Sequence, residues 1–97
     1  MAQLNEVQMR LWRKMLALIG EFRRGKLNYY EFVGALEGAL DAGEFRDNTI
    51  VQRWYDAWTP LESVRAQQGS SVTAEEVAPY VSRMEICLED ILLEQGA

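Results

Sequence analysis

Histidine is absent from these 97 residues, cysteine occurs once and proline twice. The missing histidine excludes the most, because it is the side chain that titrates nearest neutral pH and the commonest metal ligand. Ser-His and Cys-His nucleophilic pairs and ordinary zinc sites therefore cannot be assembled from this chain alone. The lone Cys87 has no partner for an intrachain disulfide, and a free thiol fits a reducing compartment, so the expected location is cytoplasmic. Long apolar runs are missing too. The longest, Met15-Leu16-Ala17-Leu18-Ile19, is about a quarter of a membrane span and shorter than a signal-peptide core. Glu6 and Glu21 among the early basic residues argue against a mitochondrial presequence. No membrane association is expected.

What is present is apolar bulk at helical spacing. Apolar residues make up 48% of the chain, including three Trp, four Tyr and three Phe, enough for one core without disulfides or metal. Leu4, Val7, Leu11, Met15, Leu18 and Phe22 recur at steps of three and four, the period of a helix with one buried stripe, here over 3–24. Met9, Trp12, Leu16 and Ile19 widen that stripe, and Gly25 stops the helix. Asn28, with Glu31 three residues on, starts a second helix whose apolar face is Tyr29, Phe32, Val33, Leu36 and Leu40, ending at Gly43. Asp47, Asn48 and Thr49 are alternative caps for a third, in which Ile50, Val51, Trp54, Tyr55 and Trp58 point inward. Thr59-Pro60-Leu61-Glu62 carries two helix-start signals, so the spacing predicts a bend there and a short fourth helix to about Gln67. After a loop at 68–71, Thr73 with Glu76 caps a last helix bearing Val77, Tyr80, Val81, Met84, Leu88, Ile91 and Leu92 on one side. Pro79 either kinks that helix or moves its start. No strand pattern occurs. The expectation is a single all-α domain over 1–97, a small bundle of four to five helices.

Segments that look like chemistry do not hold up. Gly25 to Phe32 mimics the second half of a calcium loop, but Gly20, Phe22 and Arg24 then fall where oxygen ligands are needed. Carboxylates four apart, Glu37/Asp41 and Glu85/Glu89, read as solvated helix faces, since di-metal bundles add histidines. No metal, no cofactor and no catalytic residue are expected. Cys87 reads as a small side chain flanking the last helix's apolar face. A formal net charge of −5 opposes nucleic-acid binding.

Two surfaces remain as candidates. Ile86 and Leu93 fall opposite the apolar stripe of the last helix, seven residues apart, with Glu85, Glu89 and Asp90 around them. They read as a seam for self-association or for a protein partner. Tyr29, Tyr30, Trp54, Tyr55 and Trp58 offer the alternative of an aromatic pocket for a flat small molecule, although aromatics at this spacing commonly form core. Gly34 and Gly38, costly inside a helix, point to close approach by another helix or a ligand. Charge is uneven: six basic against two acidic residues up to Lys26, then four against thirteen. That asymmetry is expected to leave a net acidic surface suited to a basic partner.

Gly25-Lys-Leu-Asn-Tyr-Tyr-Glu-Phe-Val33 followed by Leu36-Glu37, together with Trp58-Thr-Pro-Leu-Glu-Ser-Val-Arg-Ala66, resembles small bacterial all-helical proteins, among them the colicin-type immunity proteins. The resemblance covers about a third of the chain. It implies a bacterial, non-enzymatic interaction protein, an inhibitor or immunity-like partner of a basic protein, and carries no catalytic signature.

Overall fold

Each helix boundary has a local chemical cause. In the computed structural model, which describes residues 4–96, the Asn5 side chain accepts from the Gln8 N–H at 2.8 Å and the Gln8 side chain accepts from the Asn5 N–H at 3.1 Å. This reciprocal box opens α1 (Glu6–Arg23); the start expected at residue 3 lies outside the described residues. Past its end, Gly25 takes φ +76°, and the N–H groups of Gly25 and Lys26 donate to the carbonyls of Phe22 and Glu21. Two orphan carbonyls are thereby satisfied in a left-handed stop. Asn28 accepts from Glu31 N–H and opens α2 (Tyr29–Gly43). Asp47 accepts from Thr49 and Ile50 N–H and opens α3 (Asn48–Gln68). The last helix is α4 (Ala78–Glu94). No strand occurs among the described residues.

Two expectations change. The bend foreseen at Thr59-Pro60 is absent: α3 runs through Pro60 as one helix. Trp54, Ala57 and Trp58 before it and Leu61 after it are all buried, and packing on both sides offsets the hydrogen bond proline cannot donate. Pro79 does not kink α4 but sits in its first turn, where a missing N–H is harmless; Thr73 and Glu76 instead close the turn that precedes it. The end of α2 falls at Gly43, as expected, and the left-handed cap is Glu44, at φ 49°.

Helix ends fix the topology. Leu4 N–H donates to Gln95 Oε1, Gln8 Nε2 to the Gly43 carbonyl, Arg65 Nη1 to the Tyr30 carbonyl and Arg53 to Glu94. Each pairs an early residue of one helix with a late residue of its neighbour, so adjacent helices are antiparallel. Around the bundle the order is α1, α2, α3, α4, with α1 diagonal to α3 and α2 to α4. The molecule measures 40 × 22 × 22 Å. No helix among the described residues is long and apolar enough to cross a membrane.

The core is aromatic and its polar tips are satisfied. Trp12 Nε1 donates to the Leu88 carbonyl at 2.9 Å and the Tyr29 hydroxyl to the Leu61 carbonyl at 2.7 Å, while Trp54 Nε1 points at Met15 Sδ, 3.3 Å away. These bonds tie α1 to α4, α2 to α3 and α1 to α3, and they let large amphipathic rings be buried without an orphaned donor. The stripes expected for the outer helices shift slightly: Val7 and Tyr80 are exposed, and Trp12 takes the central place in α1.

Candidate interaction surfaces

Of the aromatic set expected to line a pocket, Tyr29, Trp54 and Trp58 are buried in the core. Trp54 and Trp58 stack on each other, with centroids 5.3 Å apart and planes 21° apart. Tyr30 lies outside, more than half exposed, under the Arg65 guanidinium at 4.9 Å. Burial, then the Glu62 charge, holds the Tyr29 phenol far above its ordinary range, so it stays a neutral hydrogen-bond donor. Four of the five rings therefore serve packing or a cation contact. Tyr55 alone stands at a boundary.

Tyr55 is half-buried. Its ring packs edge-on against Trp54 and Trp58, at 5.0 and 5.7 Å between centroids, and it opens outward into a shallow hollow of about 190 Å³ lined by Leu40, Asp41, Glu44, Phe45 and Val51. Burial first, and then the charges of Glu37 and Asp41, raise its phenol above the ordinary value. Glu37 and Asp41, four apart, lie on one side of α2, the side toward α3. Glu44, the left-handed cap just past the end of α2, lines the same hollow as Asp41 and Tyr55. Among the described residues none of the three is in an ion pair. The one ion pair of α1 among the described residues is Arg23 with Glu85 of α4, at 2.9 Å. The remaining pairs are Arg53–Glu94, between α3 and α4, and Arg65–Glu62, within α3.

The second surface is α4. Ile86 is 56% exposed and Leu93 69% exposed, and Glu89 and Asp90 are exposed between them. Glu85 differs from the other members of the expected seam, since its carboxylate is held by Arg23. Leu93 forms the lip of an open groove of about 550 Å³ between α1 and α4, with Arg13, Leu16, Glu89, Asp90 and Leu92. Ile86 borders another, of about 300 Å³, between α3 and α4, with Arg53, Asp56, Ala57, Arg83 and Cys87. Burial pushes the Cys87 thiol up, and its Sγ lies 3.6 Å from the Arg53 carbonyl oxygen. A protonated, half-buried thiol is a poor nucleophile.

The glycines of α2 are not a docking stripe for another helix of the bundle. An added Cβ at Gly34 would meet Arg65 Nη1 at 2.9 Å, while one at Gly38 would meet nothing within 4 Å. No group of three or more Cys, Asp or Glu side chains is placed to hold a metal ion among the described residues.

The chain matches no protein-family model, no curated protein and no solved structure. What it does must be argued from these surfaces. The α2–α3 edge was only partly legible in sequence. The four-residue spacing of Glu37 and Asp41 is visible there, but nothing in the sequence says that Tyr55 and Phe45 lie against them.

Proposed function

We propose that this chain is a non-enzymatic interaction module that binds a basic protein through the acidic edge formed by α2 and α3. The observation carrying this reading is the set of Glu37, Asp41 and Glu44 without cationic partners, gathered around the half-buried Tyr55 and Phe45. Unpaired carboxylates beside a hollow edged by Leu40, Phe45, Val51 and Tyr55 supply both terms a partner needs. The charges steer a basic surface into place, and the ring edges give it something to desolvate. Of the cations of α1, Arg13 lines the groove toward α4 and Arg23 is paired with Glu85 of α4. The resemblance of 25–37 and 58–66 to colicin-type immunity proteins favours an inhibitor or immunity-like role for the module.

The test is retention of a stoichiometric partner from source-cell lysate on immobilised protein, together with a variant carrying Glu37→Gln, Asp41→Asn and Glu44→Gln. Retention is expected to fall with rising salt, since exposed charges are screened over about 8 Å at physiological ionic strength. It should be lost in the triple variant, whose helical circular dichroism should not change. A partner held equally by wild type and variant would refute the assignment of this edge.

A further inference from the structure

The outward face of α4 has a pattern that fits a second copy of itself. At 100° per residue, Pro79, Ile86 and Leu93 lie within about 20° of one line, and Arg83 and Asp90 both fall to the same side of it, by about 60° and 40°. All five are exposed. Neither Arg83 nor Asp90 is in an ion pair among the described residues. Measured along the helix from Ile86, Arg83 is about 4.5 Å toward the N-terminus and Asp90 about 6 Å toward the C-terminus, while Pro79 and Leu93 lie about 10.5 Å away in opposite directions.

The geometry points to an antiparallel α4–α4 homodimer about a two-fold axis at Ile86. A two-fold axis perpendicular to the helices and lying in their interface reverses height along the helix but keeps side. It therefore brings Ile86 against Ile86 of the second copy and Leu93 against its Pro79, twice. It also sets Arg83 on the same side as Asp90 of the second copy, within about 1.5 Å in height, again twice. A parallel pairing about an axis along the helices keeps height but reverses side. Arg83 and Asp90 of the second copy then fall on the other edge of the seam, about 10.5 Å apart in height from the opposite charge, and no ion pair forms. The charges thus select the antiparallel register as well as the occupant: a face carrying both halves of its own ion pair is complementary to itself. The apolar contact widens sideways into the two grooves that flank α4, through Leu16 and Leu92 beside Leu93 and through Ala57 beside Ile86. This surface is separate from the α2–α3 edge, so the two can be occupied together and tested apart.

Sedimentation equilibrium of the chain across the micromolar-to-millimolar range tests the pairing. The wild-type mass should climb from 11.1 kDa toward twice that value, and Ile86→Arg should remain a monomer with unchanged helical circular dichroism. Arg83→Asp and Asp90→Arg should each weaken association about ten-fold or more, and the double variant Arg83→Asp with Asp90→Arg should return to within about three-fold of wild type, because the ion pair is restored with its signs exchanged. A wild type that stays monomeric throughout, association that survives Ile86→Arg, or a double variant no better than the single ones would overturn the proposal. Ile86→Arg should still retain the basic partner of the α2–α3 edge, so failure of one reading does not imply failure of the other.

Discussion

Gly34 leaves room for the Arg65 guanidinium, which also donates to the Tyr30 carbonyl at 3.4 Å and covers the Tyr30 ring, whereas the space beside Gly38 is open. The sequence marks both glycines as costly but cannot tell them apart, because the neighbour that matters is 31 residues downstream of Gly34. Gly38→Ala should raise unfolding stability by about 1 kcal/mol in urea titration. Gly34→Ala should gain less, as Arg65 must give up its place over Tyr30. A similar contrast holds at the end of α2. The Phe45 ring lies over Gly43, where a Cβ would collide with it, and that ring packs edge-on against Trp12 at 5.3 Å. Glu44 occupies the left-handed position that glycine fills more easily. The same titration should show Gly43→Ala destabilising by about 1–3 kcal/mol, as overpacking does, and Glu44→Gly stabilising by about 0.5–1 kcal/mol.

At the scale of elements, caps and periodicity were readable because they are local. Asn28, Asp47 and Gly25 act in the structure where their residue types place them. Thr59-Pro60-Leu61-Glu62 misleads because its start signals are genuine but overridden: the buried residues on either side of Pro60 hold one continuous α3. Pro60→Ala should therefore leave the helix content nearly unchanged and raise stability by about 1–2 kcal/mol, through the regained hydrogen bond to the Asp56 carbonyl. Acid should act at helix ends. Thr73 N–H and hydroxyl both donate to Glu76 at 3.0 Å, and Arg53 grips Glu94 with two bonds of 2.8 and 2.9 Å. These hydrogen bonds hold both carboxyls below their ordinary range. A carboxyl whose folded pKa is depressed contributes stability that is complete above its unfolded value, about 4.3, and disappears as pH falls through the folded one. Thermal midpoints should thus fall as pH drops below about 4.3. Glu94→Gln should reduce that dependence without abolishing it.

For the whole molecule, the all-α class followed from apolar spacing, and the exposure of Ile86 and Leu93 from the helical wheel alone. The circular order of the helices did not, because it depends on which capped ends meet. That order decides the charge question. A basic α1 lies beside α2 and α4 and diagonal to α3, with its single described ion pair at Glu85, and the carboxylates of the α2–α3 edge are in no ion pair among the described residues. The same order buries Trp54 and Trp58, for which the sequence offered a ligand pocket as the alternative to core. Retention of a lysate partner by the wild-type chain, compared with the Glu37→Gln, Asp41→Asn, Glu44→Gln variant in low and high salt, tests this account most directly. It predicts a stoichiometric basic protein bound by wild type at low salt, released as salt rises, and missing from the variant. A wild-type column that retains no stoichiometric partner at low salt, or a variant that retains it as well, would contradict it.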